Sequence, residues 1–464
     1  MPGEADRSSI VLRLLPARLH AHAGNPFLRR FAGKGGAALA IKLANAGLTY
    51  LMFMLLARWL GSEAYGEFAF MFALGSFAGI AATAGQHTLV LRLLPALEAK
   101  GDAATARGLI GSAYRHVGIG GAVATLALLV FAGLASGFAL PFDGRLILLS
   151  AVLAIPFAVA EFQAHLMRAY GSVVRALAPR DVVWRCAVIV IVGGWAYWHD
   201  GPLGSAQVFL AVGGMLAGLM AVQALGLGGL LPQAVRTARA DPPKTGWFES
   251  AGWLWIAAMA GIAMAHLSVV VVSGVLSASD TGAFFAAQRT AQLLSLPLIA
   301  ANMVAAQLIA RDHARGDIAG VQRVCRLIAP LIVLPSILGF AIVLGFGGSL
   351  LSIFDPGFAE ARPALVLLAL GQLFSALCGP TGIVMLMTGM ERRYVVILAV
   401  SVAIALVLAA VLARYFGLMG AAIGVMAGEF LWNGLCVFRI VRTHGIDPTV
   451  LSVFRPSGGP ERGE

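Results

Sequence analysis

Leu60-Gly-Ser-Glu-Ala-Tyr-Gly66-Glu-Phe68 returns 216 residues later as Leu276-Ser-Ala-Ser-Asp-Thr-Gly282-Ala-Phe284. A second pair, Glu98-Ala-Lys-Gly-Asp102 and His313-Ala-Arg-Gly-Asp317, repeats at an offset of 215. Two matches at nearly one spacing mark an internal duplication. Windows of about twenty apolar residues, the length that crosses hydrocarbon, show what is duplicated. They fall at 36–57, 66–91, 117–138, 146–166, 182–198, 207–230, 251–275, 283–308, 327–350, 363–388, 394–413 and 418–438. The repeats lie six spans apart, an even number, so both halves keep one orientation. That is a parallel repeat about an axis along the membrane normal. The predicted fold is an all-α polytopic membrane protein of about twelve transmembrane helices in two six-helix lobes. The expected organisation is a cytoplasmic N-terminal tail (1–30), an N-lobe (31–230), an Arg/Pro/Gly-rich cytoplasmic linker (231–250), a C-lobe (251–440) and a cytoplasmic C-terminal tail (441–464).

Composition agrees with a chain whose solvent is partly lipid. Of 464 residues 59% are hydrophobic and 12% charged, with mean hydropathy +0.86, whereas a soluble chain carries about a quarter charged residues. With the N-terminus inside, 27 of the 33 Lys and Arg residues fall in inner segments. Arg58, Arg145, Arg362 and Arg414 fall outside, and Lys42 and Arg289 remain within the membrane. A bias this steep over short loops orients the chain with both termini in the cytoplasm. It also explains the pI of 10.1 and net charge of +11: the basic charge faces an anionic leaflet, not nucleic acid. The first thirty residues do not read as a signal peptide, since five arginines, Pro16 and Pro26 interrupt them. They read as a tail with a short amphipathic stretch around Ile10–Leu19.

Several function classes are excluded. Cys186, Cys325, Cys378 and Cys436 lie far apart without metal-ligand spacing, so no disulfide framework, metal or cofactor is expected. The outer loops are short and lack an acidic cluster, which leaves no room for the extracytoplasmic active site of a membrane glycosyltransferase, polymerase or ligase. Gly33-Lys34-Gly35-Gly36 lacks phosphate-loop spacing, and Gly226-Leu-Gly228-Gly229 ends a membrane helix with no strand before it. Transport by conformational change is the natural reading, and the chain is not expected to be an enzyme.

Leu56-Ala-Arg58-Trp-Leu60-Gly61-Ser-Glu-Ala-Tyr65-Gly66 resembles the signature that closes the first helix of the polysaccharide flippase family. Val90-Leu-Arg92-Leu-Leu-Pro95, at the inner end of the second span, fits the same family. That family belongs to the multidrug/oligosaccharidyl-lipid/polysaccharide exporter superfamily. The resemblance implies a V-shaped pair of six-helix bundles around a central cavity with alternating access, in a bacterial inner membrane. Its implied substrate is an undecaprenyl-diphosphate-linked oligosaccharide for cell-surface polysaccharide such as O-antigen or exopolysaccharide, with the lipid tail left in the bilayer. Glycosyltransferases and a polysaccharide polymerase would then be neighbours in the pathway. On residues alone, Gly61 and Gly66 read as the tight turn between two helices, with Tyr65 at the membrane interface. A cation-coupled multidrug exporter of the same superfamily is the alternative. A major-facilitator transporter also has two six-helix lobes, but the loop after the second span lacks that family's Gly-x-x-x-Asp-x-x-Gly-Arg pattern. A non-transporting scaffold would not need charges in the membrane.

Ionisable groups at bilayer depth cost a few kcal/mol each on insertion scales, roughly 2.5–3.5, and so mark candidate sites. Lys42 has Asn45 and Thr49 at i+3 and i+7, one polar stripe. Arg289 neighbours Gln288 and Gln292, and Ser295 and Asn302 continue the face. Both stripes are expected to face the cleft, where Arg289, Lys42, Asn45, Gln292 and Gln288 would meet an anionic diphosphate. Lys42 can instead snorkel to the interface. Glu161 with His165 at i+4, and Glu429 with Asn433, are candidates for ion or proton coupling. Glu161 and His165 equally suit a structural pair, and His87 and His266 suit interhelical hydrogen bonds. Pro156, Pro297, Pro335 and Pro380 are expected to kink their helices, for bending or for packing.

Overall fold

A computed structural model describes residues 26–138, 141–199, 201–242 and 246–453, with side chains omitted at 26–39 and 248–250. Residues 1–25 of the expected tail, Arg455 and Arg462 lie outside the described residues. The described chain is helical: α1 (Pro26–Leu60), α2 (Ser62–Ala82), α3 (Gln86–Ala99), α4 (Ala103–Gly137), α5 (Gly144–Ala169), α6 (Val173–Ala178), α7 (Trp184–Trp198) and α8 (Ser205–Leu227). Then follow α9 (Gln233–Thr237), α10 (Gly246–Ser273), α11 (Ala278–Gln292), α12 (Leu296–Ala314), α13 (Ile318–Ser352), α14 (Arg362–Cys378), α15 (Thr381–Met387) and α16 (Glu391–His444).

Ten helices among the described residues are long and apolar enough to cross a membrane. Two further crossings come from local chemistry. Gly417 inside the 54-residue α16 adopts φ 56°, ψ −138°, so α16 is two helices meeting at a bend. Pro179 has no N–H to give the preceding turn, and the chain opens one π-helical turn, Pro179–Val183, between α6 and α7. Helix therefore begins at Val173 rather than at 182, which moves Arg180 and Arg185 out of the inner loop to which the sequence reading assigned them. The second span breaks at Thr83–Gly85, where Ala84 (φ 45°) and Gly85 (φ 74°) are left-handed, and the tenth breaks at Gly379–Pro380. The third span starts at Ala103, well before 117, because Asp102 caps it by accepting the Thr105 amide. Asp317, its counterpart in the repeat, caps α13 through Gly320. Each capping aspartate follows a left-handed glycine, Gly101 or Gly316, so the second sequence repeat is a repeated helix-end device.

The lobes share a core at one end and separate at the other. One apolar cluster runs through both, joining Phe53, Tyr65 and Phe72 to Phe285, Phe354 and Phe358. Rings meet across the seam at Phe53–Phe285 (4.9 Å), Tyr50–Phe354 (5.2 Å) and Tyr65–Phe358 (6.0 Å). Arg58 Nε donates to the Ile353 carbonyl at 2.6 Å, tying α1 to the end of α13. This is the end that the charge distribution leads one to expect outside. Toward the inner end the core divides, into one cluster around Leu89, Leu109 and Phe162 and another around Ile309, Cys325 and Ile440. The result is a V of two lobes, closed at the first end and open at the other, with a cavity in the angle.

Two expectations at the first turn are corrected. Gly61 makes the turn (φ 77°), but Gly66 is already helical. Its missing side chain serves the lobe contact instead, since a Cβ there would overlap the Ala278 carbonyl. Tyr65 is not at the membrane interface. It is fully buried, edge-on to Phe285 and tilted against Phe358 of the other lobe, because the first turn of α2 points into the seam rather than toward lipid.

Candidate functional site

The cavity between the lobes has a volume of about 490 Å³. One wall is the polar stripe of α1, Lys42, Asn45 and Thr49, joined by Arg185 of α7. The facing wall is Gln288, Arg289 and Gln292 at the end of α11, with Gln372 of α14 and Glu429 of α16. The two stripes read from helical spacing thus reach the same space. They come from different lobes.

The walls differ electrostatically. On the N-lobe side the cations have partners. Lys42 Nζ meets Asp181 Oδ2 at 3.0 Å, and Arg180 Nε meets Asp181 Oδ1 at 3.1 Å. Arg185 hydrogen-bonds Thr49 Oγ1 (2.5 Å) and the Arg180 carbonyl (2.6 Å), and reaches Asp181 at 3.9 Å. Behind them Arg180 pairs with Glu161, and Glu161 lies 3.6 Å from His165 Nδ1. His165 packs its ring against His87 at 4.8 Å. Glu161 and His165 do not line the cavity. They sit in the N-lobe interior as members of this chain of charges, with Arg180 rather than His165 the near partner of the Glu161 carboxylate.

Across the cavity Arg289 has no carboxylate partner among the described residues. Its Nη1 donates to Gln292 Oε1 at 3.0 Å, its guanidinium lies over Phe285 (4.5 Å) and Phe53 (5.3 Å), and Nε and Nη2 have no hydrogen-bond acceptor. Aromatic faces offset part of the cost of a desolvated cation, by roughly 2 kcal/mol. They do not replace two acceptors. Gln288 turns its amide to Ser268 (2.9 Å), leaving its own oxygen without a donor. Glu429 is the mirror case: a cavity-lining carboxylate with donors but no basic partner among the described residues. Trp432 Nε1 (2.8 Å), Gln372 Nε2 (3.3 Å) and Asn433 Nδ2 (3.5 Å) surround it. Asn433 in turn accepts from Thr381 (3.2 Å) and Ser375 (3.5 Å). Asn302, expected on the Arg289 face, lies outside the cavity lining. No group of three or more His, Cys, Asp or Glu suited to a metal occurs among the described residues.

Arg185, Asp181 and Gln372 were missed in the sequence. The signal for the first two was present as Arg180-Asp181 with Arg185 at i+4 of Asp181. It was hidden by Pro179, which reads as a helix boundary but here only widens one turn.

No protein-family model matches the sequence, and no curated protein matches it. Solved structures do match in fold. An inward-facing multidrug resistance MATE family transporter of the MOP superfamily superposes with a TM-score of 0.68 at 14% identity, covering 89% of this chain and 96% of that one. The eukaryotic MATE transporter AtDTX14 gives 0.62 at 16% identity, over 92% and 98%. An outward-facing MATE family transporter gives 0.60 at 15%, over 88% and 94%. The chain is a multi-pass membrane protein with the two-lobe fold of these transporters.

Proposed function

We propose that this chain is an alternating-access membrane transporter, not an enzyme, and that its cavity carries an amphipathic anion. The observation that carries the reading is Arg289, a cavity-lining guanidinium that among the described residues has no carboxylate partner and whose Nε and Nη2 lack acceptors. A phosphate or diphosphate offers paired oxygens that match a guanidinium fork. Arg185 and Lys42 stand on the opposite wall, so an anion between the lobes would draw them together. Among such solutes a polyprenyl-diphosphate-linked oligosaccharide fits best. Its sugar and diphosphate suit a cavity lined by Asn45, Gln288, Gln292 and Gln372, and its tail can remain in lipid. Loaded from the cytoplasmic leaflet, it would be released outside when the contacts of Arg58, Tyr65 and Gly66 part. Glycosyltransferases would then supply the substrate and a polysaccharide polymerase would consume it, at a bacterial inner membrane with both termini cytoplasmic.

A second reading has its own support. Two of the solved structures with this fold are multidrug resistance MATE family transporters, and Glu429, a carboxylate without a basic partner among the described residues, suits an organic or coupling cation. On fold likeness the cation-coupled multidrug exporter is the better supported of the two, and the flippase rests on the charge of Arg289. Purified protein in liposomes separates them. The flippase moves a polyprenyl-diphosphate glycolipid to the opposite leaflet, where a soluble lectin binds it, without accumulating ethidium under a proton or sodium gradient. Gradient-driven ethidium accumulation with no glycolipid transfer would assign the exporter and overturn the anion reading.

A further inference from the structure

A second concavity, of about 360 Å³, lies on the outside of the molecule at the lobe seam. Its walls are apolar: Trp255, Met259 and Ala263 of α10, Val402 and Leu406 of α16, and Phe77 of α2. It is distinct from the transport cavity, which α10 lines with Gly261, Met264 and Ala265. Residues two apart on a helix lie about 200° from one another, so Met259 and Ala263 face away from Gly261 and Ala265. Two helical turns before Ala399, the first wall residue of the groove on α16, Arg392 lies over the Trp253 ring at 5.6 Å, and both side chains are exposed. Arg393 follows, also exposed, and Glu391 precedes them.

We propose that this groove is a binding site for one anionic phospholipid of the cytoplasmic leaflet, its phosphate on Arg392 and Arg393 and one acyl chain along α10 and α16. Dimensions and charge select this occupant. From Trp253 to Ala263 the helix rises roughly 15 Å, half the thickness of a hydrocarbon core. From Arg392 to Leu406 it rises roughly 21 Å, which adds the depth of the headgroup zone. The groove therefore ends near the bilayer midplane, where one leaflet's chain ends. Its polar end carries two arginines against one glutamate on the anionic side of the membrane, and an indole at the depth where tryptophan concentrates. Phe77 belongs to one lobe and the other walls to the second. Trp255 Nε1 donates to the Ala81 carbonyl across the same seam at 3.0 Å. A lipid seated there bridges the lobes in the inward-open arrangement.

Quenching of tryptophan emission by chain-brominated lipids in single-copy nanodiscs tests this. The groove's share is the quenching lost in Trp255→Phe. Brominated phosphatidylglycerol should quench that share with about five-fold higher apparent affinity than brominated phosphatidylcholine. Arg392→Ala with Arg393→Ala should erase the preference while thermal unfolding in the same discs stays unchanged. Ala263→Phe, which fills the groove without adding an indole, should remove the Trp255 share for both lipids. Equal quenching by the two lipids in the parent protein, or a preference that survives loss of both arginines, would overturn the site. Relief of quenching by added polyprenyl phosphate would give the groove to a prenyl tail and overturn the phospholipid assignment.

Discussion

Gly66 and Gly282, 216 residues apart, meet across the lobe seam, and each leaves room for the other's helix. A Cβ on Gly66 would overlap the Ala278 carbonyl, and a Cβ on Gly282 would come within 3.1 Å of the Ser62 carbonyl and 3.2 Å of the Gly66 nitrogen. The relation is reciprocal: Gly66 faces the residue equivalent to Ser62, and Gly282 faces Ser62 itself. Such self-complementary contact is the mark of a two-fold axis, here running between α2 and α11 where both helices begin. The repeat seen in the sequence is therefore also the closure of the outer end.

Widening that contact should open the outer side. Gly66→Val inserts a branched side chain against backbone, at an overpacking cost of roughly 1–3 kcal/mol to the closed state. Thr290→Cys, buried in this arrangement, should become reactive toward an impermeant maleimide from outside in the Gly66→Val background. Labelling that does not rise would show that the glycine pair does not hold the closure.

Arg289→Met keeps an unbranched apolar stem between Phe53 and Phe285 while removing the charge. Protein abundance should hold, and anion transport should fall about ten- to a hundredfold, the worth of a charged hydrogen bond. Arg289→Lys should retain part of the activity. A loss of transport that only follows a loss of protein would assign Arg289 to packing.

Asp181 and Lys42 form a pair with unequal stakes. The Asp181 side chain is 2% exposed and its partner's 37%. Asp181→Asn leaves Arg180 and Arg185 without their shared carboxylate and should cost roughly 3–5 kcal/mol, read as thermal unfolding in detergent. Lys42→Met should cost under about 1 kcal/mol, since Asp181 keeps Arg180. Equal losses would contradict the network as drawn.

Glu429→Gln preserves an acceptor for Trp432 and Gln372 but removes the charge. Substrate exchange across liposomes should continue in the variant while accumulation driven by an ion gradient is lost. Gradient dependence like the parent's would remove Glu429 from coupling.

Much of this arrangement was legible in one dimension because the bilayer simplifies the problem. A twenty-residue apolar run has few places to go, and short loops with a steep Lys/Arg bias set direction. Lys42, Asn45 and Thr49 share a helix face by spacing, as do Gln288, Arg289 and Gln292 in part, and polar faces avoid lipid. The cavity lining follows. Glu161 and Glu429 looked alike as lone acids within spans, yet one is paired with an arginine and the other is not. No periodicity distinguishes them, because the partner Arg180 comes from another helix.

The sequence by itself determined the membrane class, the span order, the duplication and the two polar stripes, since each depends on residues near one another along the chain. Only the tertiary structure decided that Gly66 is a lobe contact rather than a turn, that Tyr65 is core, and that Arg185 faces the cavity. It also decided that Lys42, Arg180 and Arg185 share Asp181 on one side, while on the other Arg289 has no carboxylate partner among the described residues. Those outcomes depend on which helices pack together and at what distance, and charge compensation across a seam is a property of pairs that the chain brings together only on folding.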